Sequence, residues 1–217
     1  MVSLGRYRRV ACVVSLLVLS GLAPALQVQP APEPPNGGAT TPLVSHDFDQ
    51  TPVGSIPPGL RVTTPGYEAK AVDDAGGRVL KVERTGEGDT GVVLGFLKPD
   101  DLRGRLVTLK ARVRCSAETE AALWLRVDRE SQQPGFFDNM HDRPIKSSAW
   151  DEYEIAGDVA PDASGIVFGL LVFGPGPVWL DALTITDSGK AELRAPDVAP
   201  ISERGRDNIV AFTRLVG

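Results

Sequence analysis

The chain has 217 residues, with 23 basic and 28 acidic side chains, a formal net charge of −5 and two cysteines. The first 25 residues hold three Arg and no acid, so the chain without them stands at −8. That balance argues against nucleic acid or an anionic membrane as partner and suits neutral ligands such as glycans or peptides.

Arg6, Arg8 and Arg9 precede an almost unbroken apolar run over 10–22, and Ala23-Pro24-Ala25 offers small residues for cleavage. Residues 1–25 therefore read as a signal peptide, and the chain as secreted or periplasmic. The run is shorter than the ~20 residues that span a bilayer, so no stable membrane insertion is expected after cleavage. Residues 26–42 are rich in Pro, Ala and Gly and read as an extended linker.

Residues 43–187 carry repeated strand patterns and no helical period. The clearest covers 106–115: Val107, Leu109, Ala111, Val113 and Cys115 alternate with Thr108, Lys110, Arg112 and Arg114. In 121–128, Ala121, Leu123, Leu125 and Val127 alternate with Ala122, Trp124, Arg126 and Asp128. Shorter strands are expected over 44–48, 67–72, 79–83, 92–97, 152–155, 166–173 and 178–185. Turn residues separate them: 74–77, 86–89 and 174–177 are built from Gly, Pro, Asp, Ala and Glu. Many short strands without intervening helices predict an all-β fold, an antiparallel β-sandwich of jelly-roll type. Residues 188–217 read as a polar connector and a helix. That helix, with Ile209, Phe212 and Val216 at helical spacing, would open a further domain and needs a packing partner.

Two tracts carry a resemblance. Phe137-Asp138-Asn139-Met140, Asp142-Arg143-Pro144, Trp150, Tyr153-Glu154, Phe168-Gly169 and Val178-Trp179-Leu180-Asp181 together resemble a carbohydrate-binding-like jelly-roll module. Such modules recur beside varied domains in bacterial proteins. The tail from Ile201-Ser202-Glu203-Arg204-Gly205 to Gly217 looks like the segment following this module in secreted, tricorn-like serine peptidases of the C-terminal-processing family. The resemblance implies a non-catalytic accessory module that binds glycan or peptide, or serves as a spacer before a downstream peptidase domain. The alternative is a truncated member of that peptidase family. The nucleophilic Ser and its Lys partner would lie downstream, so no catalytic residue is assigned.

The candidate ligand residues follow from chemistry. Trp124 stands in the outward phase of its strand beside Arg126, where an indole either stacks on a sugar ring or packs against a loop. Asp138, Asn139, His141, Asp142 and Arg143 fall within six residues. They could hydrogen-bond sugar hydroxyls, because carboxylates accept and Arg donates in a planar fork. They could equally order their own loop. Trp150 and Trp179 read as core or edge-packing residues. Asp47, Asp49 and Asp181, on the first and last strands, are candidates for a structural calcium, which the resemblance suggests and hard oxygen ligands would suit. Gly86-Glu87-Gly88-Asp89-Thr90-Gly91 matches G-x-G-x-x-G, but a strand-like run follows where a dinucleotide site needs a helix. A hairpin turn is expected there. Cys115 reads as a small buried apolar residue.

Overall fold

The computed structural model describes residues 41–131 and 134–191. The expected signal peptide, most of the linker and the expected tail helix lie outside the described residues. Eleven strands and one short 3-10 turn make up the rest: β1 (Val44–His46), β2 (Leu60–Val62), β3 (Tyr67–Asp74), β4 (Gly77–Arg84), β5 (Thr90–Leu97), β6 (Arg105–Cys115), β7 (Glu120–Arg129), β8 (Pro134–Asp138), β9 (Asp151–Asp158), β10 (Ala163–Phe173) and β11 (Val178–Lys190). Among the described residues no helix is long and apolar enough to cross a membrane.

The strands form two antiparallel sheets. The first has the order β3-β4-β11-β6-β9, with β1 also paired to β11; the second has the order β2-β5-β10-β7-β8. The predicted all-β sandwich is the observed architecture. Alternation explains how it closes. Val107, Leu109, Ala111, Val113 and Cys115 of β6 are all buried, beside Leu180 and Ile185 of β11. Each Val, Leu or Ile side chain so withdrawn from water contributes about 1.5–3 kcal/mol. From the second sheet, Leu123, Leu125 and Val127 of β7 lie opposite Leu170, Phe168 and Ile166 of β10, and all are buried. The sheets meet closely at β9: a Cβ on Gly157 would stand 2.6 Å from the Phe136 ring and 3.0 Å from Leu125. The Leu125 face is therefore the inner face of the second sheet.

Sequence patterning missed β2 and β8. Each is short and lies at a sheet edge, and β8 opens on Pro134, which an edge tolerates because the missing N–H leaves no ladder bond unmade. The turn over 86–89 differs from the expected hairpin. β4 belongs to the first sheet and β5 to the second, so this segment crosses between layers. The crossing is tight: Thr85 N–H and Gly86 N–H both donate to Gly66 O, and a Cβ on Gly66 (φ 79°) would stand 2.1 Å from Glu87 O. The strand β5 follows directly, so no helix N-terminus is available to cradle a pyrophosphate. Ser188 to Lys190, expected in the connector, complete β11.

Candidate functional site

The register of the second sheet sets its outer face. Residues in phase opposite to Leu125 form transverse rows across neighbouring strands. One row runs Trp124 (β7), Gly169 (β10), Leu94 (β5) and Arg61 (β2). The next runs Phe137 (β8), Arg126 (β7), Val167 (β10) and Phe96 (β5). A third joins Ala122, Leu171 and Val92. Val92, Leu94, Ala122, Val167 and Leu171 are buried, although they point away from the first sheet. The second sheet is thus largely buried on both faces along its centre, while Arg61 and Phe96 on the outer face stay exposed. The first sheet turns Lys70, Lys81, Arg112 and Arg114 outward instead.

Trp124 lies on this outer face, as its phase predicts, but its side chain is packed, with 0% exposure. Its Nε1–H donates to the Val93 carbonyl at 3.3 Å. Since β10 lies between β7 and β5, the indole reaches across β10 at Gly169. No side chain fits beneath it: a Cβ on Gly169 (φ 157°) would stand 2.0 Å from that same Val93 oxygen. The conformation costs a non-glycine residue strain as well as the clash. Here the indole binds its own sheet together, an arrangement distinct from an exposed stacking platform.

Arg126 grips Asp128 on the same face, with Nε 2.7 Å from Oδ1 and Nη2 donating to Oδ2 at 3.1 Å. Its guanidinium plane is thereby fixed and its charge balanced. Phe137 and Phe96 end the row. Phe137 is half-buried, whereas Phe96 is 58% exposed. Phe96 was not singled out from the sequence, and Phe137 entered only through the resemblance, with no ligand role. The phase of Phe96 within 92–97 is visible there, but the strand that places Phe137 beside Arg126 is a matter of register.

The polar loop after β8 is cross-braced. Asp138 Oδ1 accepts from Met140 N–H at 2.8 Å, and its Oδ2 pairs with Arg143. Arg143 Nη1 also donates to Asp142 at 2.9 Å, and Arg143 N–H donates to Met140 O. Together these hold Met140 buried at φ 51°. The Asp142 carboxyl sits below the usual range, chiefly through its bond from Arg143. Asp138, Asp142 and Arg143 are thus engaged with one another, which matches the loop-ordering alternative. Asn139 lies one residue beyond β8, half-buried.

The three acids proposed for calcium are engaged by protein groups: Asp47 accepts from Asp49 N–H, and arginines or backbone reach Asp49 and Asp181. Among the described residues no group of three or more His, Cys, Asp or Glu is placed to hold a metal ion. Asp49 Oδ1 accepts from Arg78 N–H at 2.8 Å, and Asp181 Oδ2 accepts from Arg112 at 3.2 Å. Burial raises the Asp181 carboxyl above the usual range, and the charges of Asp49 and Asp47 add to this against Arg112 and the Ala182 N–H. The carboxylates feel one another, but arginines and backbone satisfy them.

Of the two places expected for Trp150 and Trp179, they take the packing one rather than the core: both are half-buried, on the outer side of the first sheet. The Arg114 guanidinium lies 4.1 Å from the Trp179 ring centre and 5.1 Å from that of Trp150, and it pairs with Asp74 at 3.1 Å. Such a cation between rings ties β6, β11 and the start of β9.

No family model matches the sequence. Over 96 residues, 43% of this chain, it is 33% identical to part of YbfP, an uncharacterized HTH-type transcriptional regulator of Bacillus subtilis. The match covers 32% of that protein, so the chain spans about a third of the length of this relative. Among solved structures, the C-terminal family 22 carbohydrate binding module of Clostridium thermocellum Xyn10B is similar with a TM-score of 0.53 at 13% identity, over 71% of this chain and 98% of the module. The CBM22-1 xylan-binding domain of Paenibacillus barcinonensis Xyn10C is similar with a TM-score of 0.52 at 15% identity, over 70% and 98% of the two chains. These matches give no support to the peptidase association of the tail. At such identities the likeness is one of fold: the chain is a β-sandwich of the kind found in carbohydrate-binding modules.

Proposed function

We propose that this chain is a non-catalytic, exported carbohydrate-binding module that takes a neutral polysaccharide on the outer face of its second sheet. The observation that carries the reading is a row on that face that ends in two accessible aromatic rings. Phe96 is 58% exposed and Phe137 half-buried, whereas Val92, Leu94, Trp124, Val167 and Leu171 are packed. Phe137, Arg126 and Phe96 cross the same face in one row. Apolar surface with a few fixed polar groups is the usual make-up of a small-molecule or glycan site. Aromatic rings offer faces for sugar C–H groups, and a planar guanidinium donates to hydroxyl and ring oxygens. The fold supports the reading: the similar Clostridium module is described by the role of its cleft in ligand binding, and the similar Paenibacillus domain as xylan-binding.

Export rests on the N-terminal signal pattern. The peptidase reading rests on the tail over 201–217 alone, outside the described residues, and no structural observation favours it.

The test is native electrophoresis through gels containing xylan, β-1,4-galactan, β-glucan or mannan, against a gel without polysaccharide. At least one neutral polysaccharide is expected to retard the protein, and Arg126→Ala to relieve the retardation. Unchanged mobility across the whole panel would refute glycan binding and leave the spacer role.

A further inference from the structure

Phe96 is the most exposed large apolar side chain among the described residues, at 58%. The others of note, Leu43 and Val53, lie outside the strands, whereas Phe96 sits within β5. An exposed ring inside a strand is unfavourable in water unless something covers it, and its position is held rather than loose. A Cβ on Gly165 would stand 2.8 Å from the Phe96 ring, so the ring lies over the bare backbone of that glycine. The β10–β7 pairing shifts register between Ala163 and Gly165, a bulge that reshapes the strand at this point.

The edges add a second observation. β2 pairs with β5 only from Leu60 opposite Gly95 to Val62 opposite Val93. Phe96 therefore lies just past the end of β2, where β5 becomes the edge. At the other end of the row, Phe137 belongs to β8, the opposite edge strand. The row Phe137–Arg126–Val167–Phe96 thus runs from edge to edge without a strand walling either end. With strands about 4.8 Å apart, three spacings make it about 14 Å long.

We infer that Phe96 is the terminal stacking platform of the glycan site, and that the site takes internal stretches of a long chain running across the strands rather than chain ends or short sugars. This rests on the function proposed above. A row open at both ends lets a polymer enter and leave, and a rigid ring seated on glycine loses little freedom on binding. Short sugars can touch only part of the row and forgo the contact with Phe96 when bound near Arg126.

Isothermal titration with the hexa- and disaccharides of the xylo, cello, manno and β-1,4-galacto series tests this on the whole chain. Wild type is expected to bind one hexasaccharide about tenfold or more tighter than its disaccharide, and reduction of the sugar's end group to leave affinity unchanged. Phe96→Ala is expected to lose about tenfold on that hexasaccharide, the scale of a central aromatic contact, while Phe96→Trp retains binding. Gly165→Val, which displaces the ring without removing it, is expected to mimic Phe96→Ala. Because Phe96 is exposed, an unchanged melting temperature serves as the folding control for its variants. Wild-type affinity for Phe96→Ala, with binding lost in Arg126→Ala, would overturn the role of Phe96 and leave the glycan-binding reading standing. Equal affinity for hexa- and disaccharide would overturn the chain-internal mode. No binding of any sugar by wild type would overturn both.

Discussion

Replacing Trp124 separates a structural indole from a ligand platform. The side chain is fully buried and its Nε1–H bonds to Val93 O across β10. Truncation to Ala removes a large ring from a packed site, which costs about 3–5 kcal/mol. Trp124→Phe keeps most of the apolar area, loses the hydrogen bond worth about 0.5–1.5 kcal/mol, and leaves a smaller void. A total near 1–2 kcal/mol is expected for Phe, well below the Ala value. Against a domain stability of about 5–15 kcal/mol, the Ala variant is compromised while the Phe variant folds. Guanidinium chloride unfolding followed by far-ultraviolet circular dichroism reads both, with an unchanged slope as evidence that the end states are the same. If Trp124→Ala cost under about 1 kcal/mol, the indole would not be the tie between β7 and β5 that the geometry implies. It would then be a surface residue, open to direct sugar stacking.

Gly169→Ala is expected to destabilise by more than a simple Gly-to-Ala exchange in a strand, because the new Cβ would meet Val93 O at 2.0 Å. A melting temperature within a degree of wild type would refute that clash. Burial pushes the Cys115 thiol up to about 11, so the folded protein should resist a thiol-specific disulfide reagent at pH 8 and react only once unfolded. The same shift carries a sign for stability. The unfolded thiol ionises near ~8.5, so between that value and about 11 the unfolded state holds fewer protons, and stability falls as pH rises. Cys115→Ala is expected to flatten that slope, and a slope unchanged by the substitution would exclude the thiol as its source.

Much of the fold was legible because burial on one side of a strand writes a period of two into the sequence. β6 is the plainest case: its five alternating apolar residues all face the core, and its Arg112 and Arg114 face out. The two-sided burial of the second sheet was also latent in the apolar runs of β5 and β10, where Val92, Val93 and Leu94, and Ile166, Val167 and Phe168, follow one another without a polar break. The short edge strands β2 and β8 left no such mark, since three to five residues at an edge carry too little burial to set a period.

The site was legible only in part. The sequence by itself determined which residues could face outward: Trp124 and Arg126 share a phase, and the acids and arginine after β8 crowd one loop. Tertiary structure alone decided what each of them meets. Asp138, Asp142 and Arg143 are drawn into bracing their own loop, Trp124 lies down on Val93, and Trp150 and Trp179 rise to the outer surface to hold Arg114. Phe137, Arg126, Val167 and Phe96 become one row only through the order β5-β10-β7-β8. Side-chain phase is a local property of a strand, fixed by the pleat. Neighbourhood across strands is set by non-local pairing, which no local pattern encodes.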